Sequence, residues 1–475
     1  MYMSEKKNTQ LSGSLGVTSI VLMVVATAAP LTVMVANTPL IITMGNGAGA
    51  AFDALLATLI MFLFAVGFVA MSKYISNAGA FYSYIQKGLG RTLGLGSATL
   101  AWISYFLILV ALETYMGVAF SDLLKNLAGI NVPWWVMTLA CMLTIGFLGY
   151  RHIELSSKFL AIALVLEIAV VILVDLFVFA ERGLTGMDIE AFHPATIMSG
   201  SPGLGIMFAI YCFIGFEATV IFREEAKDPD RTIPKATYIA VLGVGLFYII
   251  SMWCEVTVIG SSNIVNFATT HGESTYLLIA QQYLGTLSKD VILVLLVTSL
   301  FACALSLHNI VVRYQYVLGK YDVLPKQLAY IHEKYKSPYM SSFVQTASSI
   351  TLFIFLLILE LDPVTNIYAW GATTGTLGYM TILSLTCISV IVFFRRNKNG
   401  NFWKTLLAPS LGLIGLLFCL WIAIVNLPSL IGSESTLIAQ IIICVLIAAF
   451  SLGVVKAKIM KSRKPQLFEQ LKELA

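Results

Sequence analysis

Apolar residues run through this chain in long unbroken stretches separated by short polar ones, at 15–44, 50–71, 94–121, 133–149, 153–180, 203–222, 236–260, 290–312, 340–360, 364–394, 403–427 and 436–457. About 20 apolar residues carry a helix across the hydrocarbon core of a bilayer. Every backbone N–H and C=O in that core must be satisfied within the protein, which leaves helices or a closed barrel, and runs this long and continuous are helical. The pattern predicts an all-α membrane protein with twelve transmembrane helices. Composition agrees: 58% of the 475 residues are hydrophobic and 11% are charged, against about 25% charged in soluble domains. A water-soluble fold is excluded, and no separate soluble domain fits.

Charge placement then orients the helices. With the N-terminus inside, Lys6, Lys7, Lys73, Lys87, Arg91, Arg151, Arg223, Lys227, Arg313, Lys320, Arg395, Arg396 and Lys456 all fall on the cytoplasmic side, and of the 29 Lys and Arg only Lys125, Arg182 and Lys289 face outward. The positive-inside rule places both termini in the cytoplasm of a multi-pass plasma (inner) membrane protein. The net charge of +4 is spread over short loops, with no patch to track phosphates, so no nucleic-acid partner is expected. The seven cysteines lie inside apolar runs, without close pairs or a histidine cluster at metal spacing, so neither a metal nor a cofactor is called for. A signal peptide is weighed against a span at the start, because Lys6 and Lys7 precede apolar sequence ending in Ala26, Thr27 and Ala28. Apolar sequence resumes after Pro30, which favours an interrupted span.

Two interruptions carry the functional reading. Pro30 has no N–H to give Ala26 and its ring clashes with the preceding turn, so the first helix should break around Ala28 to Thr32, with Thr27 and Thr32 capping the ends. The alternative is a simple kink packed between neighbours. Five spans later, Tyr211, Cys212, Phe213, Ile214, Gly215, Phe216 and Glu217 set a glycine beside a charge within apolar sequence. Breaks at matching positions of two five-helix halves mark inverted-repeat transporters, which hold substrate between half-helix ends. The expected organisation is a cytoplasmic tail at 1–14, a first five-helix repeat at 15–180, a second at 203–394, two C-terminal helices within 403–457 and a cytoplasmic tail at 458–475.

Carboxylates inside spans cost about 3 kcal/mol each on insertion scales, so they need a partner, a wet cavity or a proton. Glu113, Glu167 and Glu217 qualify; Asp175 and Glu255, nearer the outer ends, read as a solvated rim. Glu217, beside the second break, and Glu167 are candidates for coupling transport to protons, although Glu217 could instead staple the unwound segment. Glu113 shares a face with Trp102, Phe106 and Leu109 that either looks into the substrate cavity, where it would suit an amine, or meets a neighbouring hydroxyl or amide. Ser299, Ala302, Cys303 and Ser306 form a small, weakly polar stripe read as close helix packing. In the tenth span, Tyr368 and Trp370 could close a cavity, or Trp370 could anchor at the interface. His308 reads as a packed, hydrogen-bonded residue. There is no metalloprotease histidine pair, serine-nucleophile elbow or phosphate loop, so an enzyme is not expected.

Three segments resemble the amino acid, polyamine and organocation transporter superfamily: Gly79 to Tyr84 with Gly88 to Gly90, Phe213 to Ala218 leading into Glu224 to Lys235, and Val317 to Pro325. The resemblance covers about Gly16 to Lys456. It implies two inverted five-helix repeats plus two helices, alternating access, and coupling to protons or a counter-substrate. Carried over by position, the substrate site would comprise Ala28, Ala29, Leu31, Thr32 and Val33 at the first break and Tyr211, Phe213, Ile214 and Gly215 at the second, with Glu113 facing in. Tyr211 resembles an aromatic gate, and Trp370 is its candidate partner. Two departures matter. Pro30 stands where many amino-acid carriers have glycines that present N–H groups to a carboxylate, a pattern closer to bacterial putrescine importers. Glu167 stands where proton-coupled relatives often have a lysine. The expected substrate is therefore an amino acid, with a polyamine as the alternative and a channel as the competing class.

Overall fold

The structure, a computed structural model, describes residues 15–75, 80–151, 157–216, 218–221, 226–335, 337–398, 400–432 and 436–471. Glu217, Gly79, Glu224, Glu225 and the expected tail at 1–14 lie outside the described residues. Among the described residues the secondary-structure elements are all helical, apart from an isolated bridge between Leu15 and Ala226.

The first span divides into α1 (Val17–Ala28), a short α2 (Pro30–Thr32), a π turn at Val33–Asn37 and α3 (Thr38–Met44). Then come α4 (Ala50–Ser72), α5 (Ala80–Leu89), α6 (Arg91–Ala128), α7 (Trp134–Arg151) and α8 (Ser157–Arg182). The short α9 (Pro194–Ile197) leads to a divided pair, α10 (Pro202–Tyr211) and α11 (Ala218–Ile221), followed by α12 (Pro229–Ile259), α13 (Ile264–His271), α14 (Ser274–Leu284) and α15 (Thr286–Lys320). The remainder is α16 (Tyr339–Ile358), α17 (Ala369–Asn397) after a π turn at Pro363–Tyr368, α18 (Ala408–Val425), α19 (Leu427–Leu430), α20 (Thr436–Arg463) and α21 (Pro465–Gln470). Proline opens α2, α9, α10, α12 and α21, where its missing N–H would have no intrahelical acceptor.

Among the described residues, ten helices are long and apolar enough to cross a membrane. Two of the twelve expected runs fall short for local reasons. Polar-tipped Trp134, Trp135, Tyr150 and Arg151 occupy the ends of the 18-residue α7, and the sixth run stops after the 10 residues of α10.

Burial matches a bilayer-embedded bundle. Leu143, Phe147, Val165, Leu166, Ile414, Phe418, Trp421, Leu437 and Ile447 are exposed on the outer faces of α7, α8, α18 and α20, where lipid would cover them. Inside, α17 comes close to α6: a Cβ on Gly375 would sit 2.2 Å from Ile108 and one on Gly378 1.9 Å from the Ser104 hydroxyl, so neither position admits a larger residue without a shift.

One end of the bundle gathers the basic segments. The Lys227 N–H donates to the Leu15 carbonyl at 3.0 Å, and Arg396 donates to the Gly88 carbonyl at 3.1 Å. There α21 straps back across α5 and α6, with Arg91 on Glu469 at 2.7 Å and over the Phe468 ring at 5.1 Å. Lys464 pairs with Asp322 and holds that carboxyl below the usual carboxylate range. Exposed pairs of this kind contribute about 0.2–1 kcal/mol each, so the strap is held mainly by the buried Phe468 and Leu471.

Candidate functional site

The first break turns on one residue. Ala29 adopts the left-handed conformation, φ 48° and ψ 66°, which costs an L-residue without glycine's freedom about 1 kcal/mol or more. Pro30 follows as the first residue of the next helix, and the chain regains its ladder with the Val33 N–H on the Ala29 carbonyl at 3.1 Å. The N–H groups of Leu31 and Thr32 belong to that first turn and have no intrahelical acceptor.

The threonines expected to cap the break do something else. Thr27 donates to the Met23 carbonyl at 2.9 Å and meets the Ser306 hydroxyl at 3.2 Å, while Thr32 donates to Ser299 at 3.3 Å. Cys303 donates to the Thr27 carbonyl at 3.2 Å. The stripe on α15 is therefore a row of hydrogen-bond partners for the broken helix and not only a packing surface.

The second break is a run of turns over 212–216. The Phe213 N–H reaches the Ile210 carbonyl at 3.0 Å, Ile214 reaches Tyr211 at 3.0 Å and Phe216 reaches Phe213 at 3.2 Å. Gly215 has φ +101°, and a Cβ there would lie 2.5 Å from the Thr27 methyl, so the two breaks touch at Thr27 and Gly215. Asn37, at the end of the π turn, ties the halves together through its amide, which donates to the Phe208 carbonyl and the Cys212 sulfur, each at 2.9 Å. π turns of this kind are frequent at functional sites.

Between the breaks lies a narrow cavity lined by Thr27, Ala28, Ala29, Thr32, Val33, Asn37, Ile108, Leu112, Tyr211, Ile214, Cys303, Leu307 and Tyr368. A second cavity, toward Met44 and Leu430, shares Asn37, Tyr211 and Tyr368 with it. The hydrogen-bonded hydroxyls of Tyr211 and Tyr368 stand between the two. No charged side chain occurs among the described lining residues, so charge on a ligand would be met by hydroxyls, the Asn37 amide and the ends of the half-helices.

Of the residues expected at the site, Ala28, Ala29, Thr32, Val33, Tyr211 and Ile214 line the cavity. Leu31 is buried behind it. The Phe213 carbonyl accepts from the Tyr379 hydroxyl at 3.5 Å, and Gly215 backs onto Thr27. Glu113 points elsewhere: it is buried on the face of α6 toward α7 and α16, with the Ser349 hydroxyl as partner. Its helical neighbours Trp102 and Phe106 turn the same way. The Trp370 indole donates to the Ile431 carbonyl at 2.8 Å, which leaves Tyr368 as the tenth-span aromatic at the cavity. Glu167 sits behind the α15 stripe, 3% exposed, bonded to Ser299, and so lies one hydroxyl from Thr32. His308 is packed against Ser342 at 3.0 Å. Sequence reasoning missed Asn37, whose signal was a lone amide in an apolar run, read Cys303 as a packing residue of the eighth-span stripe, and missed Ile108, Leu112 and Leu307, which nothing in the sequence singles out.

The profile of the amino acid permease family matches residues 15–450. The chain belongs to this family. Among its relatives, an uncharacterized transporter of Mycobacterium tuberculosis is 23% identical over 45% of this chain, and the match spans about half of that protein's length, 50%. The low-affinity putrescine importer PlaP of Escherichia coli is 21% identical over 72% of this chain and 74% of its own. The branched-chain amino acid permease BcaP of Bacillus subtilis is 24% identical over 80% of this chain and 81% of its own. The names of the last two describe transporters of an amine and of amino acids.

Asn37 offers a direct check. In Asn37→Ala the Phe208 carbonyl and the Cys212 sulfur lose the amide they share and keep only each other at 3.3 Å, a loss of about 0.5–1.5 kcal/mol per hydrogen bond. Half-saturation of uptake should shift upward about tenfold, read from the concentration dependence of labelled-substrate uptake.

Proposed function

We propose that this permease carries a small amino acid across the plasma membrane by alternating access, with both termini cytoplasmic and twelve crossings arranged as two inverted five-helix repeats plus two helices. The eighteen residues of α7 and the divided pair α10 and α11, added to the ten long helices, support that count. One observation carries the functional reading: two interrupted helices meet at Thr27 and Gly215 and enclose an uncharged, largely apolar cavity whose polar groups are the Asn37 amide and the hydroxyls of Thr27, Thr32, Tyr211 and Tyr368. The start of the helical stretch at Pro30 offers N–H groups and the end of α10 offers carbonyls, a dipolar pair suited to a carboxylate and an ammonium.

The polyamine reading keeps two supports, the donor removed by Pro30 and the similarity to a putrescine importer. Against it stands the lining itself: a doubly charged diamine needs carboxylate partners, and Glu113 turns toward α16. Coupling is assigned to Glu167. A carboxylate only accepts hydrogen bonds whereas a carboxylic acid also donates, so proton exchange at Glu167 reorders the bonds at Ser299 and Thr32 that hold the first break. Glu217, next to the second break in sequence, is the further coupling candidate. Exchange against an internal solute is the other driving mode.

Proteoliposome uptake tests this reading. An inward proton gradient should accumulate labelled neutral amino acids, unlabelled amino acids should compete at least tenfold better than diamines, and labelled and unlabelled substrate should exchange in counterflow. Preferential competition by diamines would overturn the amino acid assignment, and absence of counterflow would overturn the carrier.

A further inference from the structure

Asp175 on α8 and Glu255 on α12 are buried, 6% and 1% exposed, and do not form the solvated rim their sequence positions suggest. The outer loop covers that end of α12: the Trp253 indole donates to the Asp188 carbonyl at 2.7 Å, and the Asp188 carboxylate accepts from the Ser261 N–H at 3.0 Å. The Ser251 hydroxyl donates to Asp175 at 2.7 Å, and Cys254 also bonds to it. Glu255 lies one turn beyond Ser251 on the same face of α12, which brings the two carboxyls together.

Among the described residues, neither oxygen of Glu255, nor the second oxygen of Asp175, nor the hydroxyl of Tyr276 on α14 has a hydrogen-bond partner. Tyr276 is 1% exposed and faces both acids. The titratable groups facing the pair are Cys254 on α12 itself and Tyr276 on α14, and among the described residues no Lys, Arg or His acts on either acid. Two adjacent carboxylates in such surroundings cannot both hold their charge without a cation between them, and a proton is the smallest that fits. Glu255 lies about 6 Å along its helix from the outer end of α12, beneath the loop at Asp188, which a proton from outside would have to pass.

The face that carries the pair continues inward. Tyr248 precedes Ser251 by one turn, is 1% exposed, has no partner for its hydroxyl among the described residues and faces Glu167. Asp175 and Glu167 are two turns apart on α8, about 12 Å, with Tyr248 between.

We propose that Asp175 and Glu255 form an outer proton-binding pair that feeds Glu167 through Tyr248. A proton taken from outside water protonates the pair. It moves on when the Tyr248 oxygen accepts a proton as its own O–H passes to Glu167, so the tyrosine ends each transfer neutral. Bridging waters span the one-turn gaps. This inference rests on Glu167 being the coupling residue.

The test uses the full-length permease in proteoliposomes containing a pH dye, with three readouts: proton entry during substrate uptake, uptake driven by an inward proton gradient, and counterflow. Glu255→Gln and Tyr248→Phe should each lower proton entry and gradient-driven uptake at least tenfold while counterflow stays within about twofold, which shows that the variant is folded. If Glu255→Gln folds poorly, Tyr248→Phe decides by the same readouts. Intact proton entry in these variants, with proton entry lost in Glu167→Gln, would overturn the pair and leave the coupling role of Glu167 standing. Intact proton entry in Glu167→Gln would overturn both.

Discussion

Gly215→Ala should reduce uptake at least tenfold at unchanged protein abundance in the membrane. Two costs act together. The backbone at Gly215 has φ +101°, a region that side chains other than hydrogen rarely occupy, and the added methyl would lie 2.5 Å from the Thr27 methyl and 2.9 Å from its Cβ. Strained backbone of this kind costs about 1–3 kcal/mol, and relief requires the two breaks to separate where they touch. In the alternating access proposed above, that contact is where the first and sixth spans would pass each other, so a displacement there is expected to fall on transport more than on the fold. Thr27→Ser removes the opposing methyl while keeping the hydroxyl on Ser306. The double variant Thr27→Ser, Gly215→Ala should recover part of the lost uptake, because the 2.5 Å methyl contact goes while the 2.9 Å contact with the Cβ of residue 27 and the backbone strain stay. Wild-type uptake in Gly215→Ala, measured as initial rates with the amount of transporter quantified, would refute the contact as a hinge.

The second large effect is expected at Glu167. Glu167→Gln keeps the volume and still bonds to Ser299, but an amide cannot exchange a proton. Accumulation driven by an inward proton gradient should fall at least tenfold, and the dependence of uptake on external pH should flatten. Ser299→Ala should flatten it as well, since Thr32 then loses its partner and the carboxyl is disconnected from the break. A glutamine variant that responds to the gradient like the parent would dispose of Glu167 as the coupling group, whatever its effect on rate.

Much of the architecture was readable from residues alone. Long apolar runs force helices because hydrocarbon offers no hydrogen bonds, and Pro30 and Gly215 mark breaks because one lacks a donor and the other tolerates positive φ. The sequence placed the first break around Ala28 to Thr32, and within that range the left-handed turn falls on Ala29, since proline's fixed φ suits Pro30 to open the next helix.

Direction was the part that periodicity could not supply. Spacing put Glu113, Phe106 and Trp102 on one face of α6 but could not say that α7 and α16, and not the cavity, occupy the space in front of it. Nearness to a span's end suggested water around Asp175 and Glu255, whereas the loop at Asp188 and the helix α14 seal them in. The serines and cysteine of α15 looked like packing residues until α1 was seen to break against them. A sequence fixes which side chains share a helical face and where the backbone cannot continue, because both depend on neighbours a turn away. Which face meets which, and whether a buried carboxyl finds a hydroxyl, another acid or a cavity, depends on contacts between residues hundreds of positions apart, and those exist only once the helices have packed.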